Sequence, residues 1–159
     1  MDALHVLDQG SGPAIAWIHG FPLSSRTFAR QLEIPGVRHL APDLPGFGRS
    51  GQGAIESIDD YAVIVREAME SASSPGTCQA LRAMAARADS APVLRAFQNP
   101  VLVVVGSRDE LTPPSDASRM ASMAKGSALV EIPEAAHLSN VEQPEAFNDA
   151  VTRFLTRIR

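Results

Sequence analysis

Short, dense apolar runs alternate along this chain with longer stretches in which apolar side chains recur every three or four residues. The runs read as strands over residues 3–8 (ALHVLD), 14–19 (AIAWIH), 37–42 (VRHLAP), 100–106 (PVLVVVG) and 128–133 (ALVEIP). In VLVVV no polar position interrupts the run, the pattern of a strand covered on both faces. The helical stretches are equally legible. Over residues 57–72, Ile58, Tyr61, Ala62, Val65, Ala68, Met69 and Ala72 form one stripe, and Ser57 and Asp60 are spaced as a capping box. Residues 77–90 bring Leu81, Met84 and Ala85 together. A last helix after Gln143 has Pro144 in its first turn and is expected to bury Phe147, Val151, Phe154, Leu155 and Ile158 on one face. Met84, Met120 and Met123 read as core filling. Strands alternating with helices predict an α/β protein, a three-layer sandwich with a reduced, mostly parallel sheet of about five strands.

Composition narrows the function. A chain of 159 residues with 45% hydrophobic side chains can bury a full core, so a single domain spanning 1–159 is expected. The formal charge of -4 and the absence of a basic cluster argue against nucleic acid as a partner. All of the 14 basic residues except Lys125 are arginines, but they are scattered. Cys78 is the one cysteine, so no internal disulfide forms. The N-terminal MDALHVLDQG has neither a basic nor an apolar leader segment, and VLVVV is far short of the ~18 apolar residues of a membrane helix. A soluble cytoplasmic protein without membrane partners is the expectation.

Chemistry enters at the ends of strands. IHGFPLSS follows one strand and turns at Gly20; in acyl-transfer enzymes such a loop points a backbone N–H, here that of Phe21, at a developing oxyanion. The alternative for His19 is packing beneath that loop. PDLPGFGRS, residues 42–50, is a Pro/Gly turn that serves at least to route the chain off the sheet. VVVGSRDELTPP and IPEAAHLSNVEQPEAF each place an ionisable residue just past a strand, Asp109 and His137. Loops at the carboxyl ends of parallel strands are where α/β folds gather their sites, so this acid and base can meet. Singly, Asp109 could be a turn or helix-cap residue and His137 a surface residue.

HGFP, DLPGFGRS, GSRDELTPP and AAHLSNVEQPEAF, in that order, resemble the α/β-hydrolase superfamily, and most of all its enol-lactonase, esterase and C–C hydrolase branch. The resemblance covers nearly the whole chain. It implies a truncated α/β-hydrolase fold, with Asp109 as the acid of a triad, His137 as its base, and Gly20 and Phe21 in the oxyanion loop.

One part of the family pattern is missing. A serine in G-x-S-x-G, on a strand-to-helix elbow, should precede the acid. Here a helix ends near Ala72, and by Thr77 the sequence already resembles the helix leading to the acid's strand, so an internal deletion near 72–77 has removed the elbow and the cap. GRSGQ, residues 48–52, lacks the final glycine and matches the family's Pro/Gly turn. Ser73 and Ser74 have no strand to aim them, Ser24 or Ser25 suits a helix cap, and Cys78 lacks a local base. If VLVVV filled the gap beside AIAWIH, Asp109 and His137 would move inward by roughly 10 Å, two strand spacings. Ser107 would then stand near the elbow's place, with Asp109 as the other candidate nucleophile.

Two functions follow. The first is a hydrolase of small esters or lactones; the second is a catalytically degenerate relative that binds a small molecule or a protein. His5, His19, His39 and His137 show no metal-ligand spacing, and no phosphate loop follows a strand, so no metal and no cofactor is expected. An unfilled gap would leave strand edges open to a second copy, which makes a homodimer the expected assembly.

Overall fold

All five strands form. The computed structural model describes residues 5–20, 23–43, 47–50 and 89–158, and among these the strands are β1 (Val6–Gly10), β2 (Ala14–Ala16), β3 (Arg38–Pro42), β4 (Leu102–Gly106) and β5 (Ala128–Ile132). Their helices are α1 (Ala91–Ala96), α2 (Pro114–Met123), α3 (Ser139–Glu142) and α4 (Pro144–Arg157). The helix expected over 57–72, the junction at 72–77 and all but the last two residues of the helix expected over 77–90 lie outside the described residues; those two, Asp89 and Ser90, are not helical. The chain divides into two compact units, Met1–Arg26 with Gly36–Ala88 and Thr27–Pro35 with Asp89–Arg159.

In the first unit the strand order is β1-β3-β2, with β1 antiparallel and β2 parallel to β3. The pleat sends His39 and Ala41 inward, leaving Arg38 outside to pair with Asp8. A histidine only 1% exposed needs a partner, and Trp17 supplies one: its Nε1–H donates to His39 Nδ1 at 3.0 Å, with the rings stacked. Strand β2 ends at Ala16, earlier than the hydrophobic run suggested. Trp17 N–H still bonds to the Leu40 carbonyl, after which the chain leaves the ladder, so His19 sits in a loop and not on a strand.

In the second unit β4 and β5 pair in parallel from Leu102↔Ala128 to Gly106↔Ile132. Every position of β4 is at least partly covered, as expected for VLVVV, while β5 alternates, turning Leu129 and Glu131 outward and Val130 and Ile132 inward. Ile132, Ala135 and Ala150 form the core here, with Val104, Val130 and Ala146 packed around them. Burying Ile132 alone contributes about 1.5–3 kcal/mol.

Among the described residues β4 pairs with β5, and β1, β3 and β2 form a ladder of their own. Two expectations need correction. Ile158 is 45% exposed, because α4 stops at Arg157 and the next residue leaves the helical stripe. Met120 is 44% exposed and lines a cavity instead of filling the core. No helix among the described residues is long and apolar enough to cross a membrane.

Candidate active site

Where β4 ends, the chain must turn sharply and let a second loop pass close by, and Gly106 permits it. A Cβ at this position would overlap the carbonyl oxygens of Ala135 and Ala136. The two loops are then laced together. Ser107 N–H donates to the Ile132 carbonyl at 2.9 Å, Arg108 N–H to the Ala135 carbonyl at 2.8 Å, and Glu134 N–H to Ser107 Oγ at 3.1 Å. Glu134 takes the left-handed conformation, φ 60°, which is rare for a residue with a side chain. Its side chain pairs with Arg108 across the same seam. The strained residue thus stands three positions before His137.

A second clamp holds the histidine loop from the other side. Glu142, in α3, accepts the N–H of Ala136 with one carboxylate oxygen and that of Leu138 with the other, both at 2.9 Å. These are the two residues that flank His137, so one carboxylate fixes the backbone on both sides of the imidazole. Gln31 and Asn140 extend the support, their side chains bonding to each other and to the Asn140 and Thr27 carbonyls.

Asp109 and His137 do come together. Asp109 is only 6% exposed, and its carboxylate is filled with donors. Oδ1 accepts the N–H of Leu111 at 2.9 Å and of Thr112 at 2.8 Å; Oδ2 accepts the Thr112 hydroxyl at 2.7 Å and lies 3.0 Å from His137 Nδ1. Burial pushes the Asp109 pKa up, but the Thr112 N–H and hydroxyl and the His137 ring outweigh it and hold the carboxyl at about 2. The anion therefore persists at neutral pH. With Nδ1 facing the carboxylate, Nε2 of a half-exposed imidazole, which has no hydrogen-bond partner among the described residues, is the atom left for proton transfer. A cavity of about 240 Å³ opens beside the pair, lined in part by Val105, Asp109, Thr112, Ala117, Met120 and His137.

Ser107 reaches the carboxyl end of β4 as expected, but its hydroxyl faces Glu134 N–H, and the ring partners of His137 among the described residues are Asp109 and Thr112. In the first unit, the Gly20 carbonyl accepts Leu23 N–H at 2.8 Å and His19 Nδ1–H at 3.0 Å. His19 is 4% exposed and packs edge-on to Phe47, so it lies buried against its own loop. Phe21 lies outside the described residues.

A family model, that of the TAP-like proteins of the α/β-hydrolases, matches residues 66–158 and so takes in both the acid and the base. The chain is a member of the α/β-hydrolase superfamily. Among curated relatives, this α/β-hydrolase is 42% identical over 80 residues to a 3-oxoadipate enol-lactonase 2 of Acinetobacter baylyi, covering 50% of this chain and 28% of the relative. It is 46% identical over 59 residues to an epoxide hydrolase of Caballeronia sordidicola, covering 35% and 18%. The match thus spans less than a third of either relative's length. Among solved structures, an esterase from Thermogutta terrifontis superposes with a TM-score of 0.75 at 22% identity, covering 98% of this chain and 93% of that one. That likeness establishes a shared fold, in which the α/β-hydrolase layers survive in reduced form.

Two residues of the site escaped the sequence reading. Thr112 stands three residues after an acid, the spacing of a side chain that can reach back to it. Nothing local marks Glu142; only the fold reveals that its carboxylate spans the two N–H groups beside His137.

Proposed function

We propose that this chain is a hydrolase of small esters or lactones in which His137 is the general base and Asp109 orients it. One observation carries the reading: a buried Asp109, saturated with donors, holds His137 Nδ1 at 3.0 Å, and the opposite nitrogen has no hydrogen-bond partner among the described residues. In the reaction, Nε2 takes the proton of a hydroxyl whose oxygen bonds to the substrate carbonyl carbon. The proton then passes to the leaving alkoxide; with water as the attacking hydroxyl the product acid departs at once, and with Ser107 the acyl ester formed on it is hydrolysed by a water that the same Nε2 deprotonates, the proton returning to Ser107 Oγ as the acid leaves. The hydroxyl belongs to water or to Ser107. A fluorophosphonate label on the native chain that is lost in Ser107→Ala selects the serine, and the absence of label selects water.

The decisive assay is turnover of p-nitrophenyl acetate and butyrate by the native chain and by His137→Ala. A fall of about 100-fold or more is expected, in line with losing a general base; equal rates would reject the reading. The missing G-x-S-x-G favours a second reading, a degenerate relative that binds a small molecule without turning it over, and that reading requires native rates at the uncatalysed background. Assembly as a homodimer belongs to the same proposal, on the ground that β4 pairs with β5 alone among the described residues. A monomeric mass by light scattering across micromolar concentrations would refute it.

A further inference from the structure

We propose that the Thr112 hydroxyl is a positioning group that fixes His137 in the tautomer with Nδ1 protonated and Nε2 bare. The argument is one of counting protons. The hydroxyl has a single proton and lies 2.7 Å from Asp109 Oδ2 and 3.2 Å from His137 Nδ1. A carboxylate is the stronger acceptor and the nearer one, so the proton goes there. The threonine oxygen then presents a lone pair to the imidazole, and Asp109 Oδ2 presents another at 3.0 Å. If Nδ1 were bare, three lone pairs would converge on one point. With Nδ1 protonated, its N–H is shared between two oxygens and every donor in the triangle has an acceptor.

The arrangement is directional. Thr112 lines the cavity beside the pair, its backbone N–H is tied to Asp109 Oδ1 at 2.8 Å, and its hydroxyl is held on Oδ2 of the same carboxylate at 2.7 Å. The other charged groups about His137 do not compete for Nδ1. Both oxygens of Glu142 accept the flanking backbone N–H groups, and Glu134 is paired with Arg108. On α2, Asp116 pairs with Arg119. An imidazole free in water favours the opposite tautomer, so the site must impose this one. The consequence for catalysis rests on the hydrolase reading above, but the tautomer itself does not.

Nitrogen-15 NMR of the neutral imidazole separates the two. In the native chain the expected pattern is a protonated Nδ1 and an unprotonated Nε2. Thr112→Val keeps the shape and the backbone N–H but removes the hydroxyl, and the Nδ1-protonated share should fall measurably while Thr112→Ser restores it. In the same variants the Asp109 carboxyl should titrate above its native midpoint of about 2 in Thr112→Val and at the native midpoint in Thr112→Ser. If Thr112→Val does not fold, the native spectrum still decides, because a bare Nδ1 there overturns the proposal. So does a valine variant whose tautomer ratio equals the native one. Ester turnover absent from a native chain with the expected spectrum would reject the hydrolase reading and leave this inference standing.

Discussion

Among the described residues each unit has one buried aspartate just past a parallel strand, and the two are put to different uses. Asp43, 2% exposed at the end of β3, accepts the N–H of Ser25 at 2.6 Å and of Arg49 at 2.8 Å, one on each oxygen. Burial raises its pKa, and these backbone donors, the Ser25 hydroxyl and the charge of His5 outweigh it, so the carboxyl titrates below the usual range. Gly48, at φ 53°, leaves room for that carboxylate, which a Cβ would overlap. Asp109 likewise spends one oxygen on backbone N–H groups, but its second oxygen goes to a hydroxyl and an imidazole. A buried carboxylate whose bonds all return to its own loops is a staple. One that reserves an oxygen for a histidine half-open to solvent can shape that histidine's chemistry.

Substitutions at the two aspartates should therefore diverge. The largest expected effect is Asp43→Ala, which orphans the buried Ser25 N–H and the part-buried Arg49 N–H and should cost about 2–4 kcal/mol of stability in urea unfolding. Gly106→Ala comes next, at about 2–3 kcal/mol, because the seam between β4 and the histidine loop must open to admit the methyl. A change below about 0.5 kcal/mol in either would break the account of how that unit is held.

Acid sharpens the contrast. Asp109 has a folded pKa of about 2 against an ordinary value of 3.8, so its contribution to stability is present above about pH 4 and is lost as pH falls toward 2. In Asp109→Asn this part of the pH dependence should flatten, while the contribution of Asp43, depressed in the same direction, remains. The smallest expected effect is Glu134→Gly, within about 1 kcal/mol of native, since glycine relieves the left-handed backbone but loses an exposed ion pair.

Much of this was legible in the sequence. The five strands were placed to within a few residues because dense apolar runs between turn residues have few other uses, and Asp109 and His137 were found because both stand just beyond such runs. Asp43 was read as no more than part of a turn; PDLPG and SRDEL look equally loop-like, and nothing local says which acid a histidine 28 residues further on will face. The division into two ladders was not foreseen either, since strand neighbours depend on long-range pairing that hydrophobic pattern does not encode. Thr112 and Glu142 belong to the same class: each is defined by the atoms it reaches after folding.

The comparison of the two aspartates is tested most directly by kcat/KM for p-nitrophenyl butyrate in Asp109→Asn, corrected for the folded fraction by circular dichroism. The account predicts a folded protein whose rate falls about 100-fold or more, as when a triad acid no longer fixes its histidine. A folded Asp109→Asn chain with the native rate would contradict it.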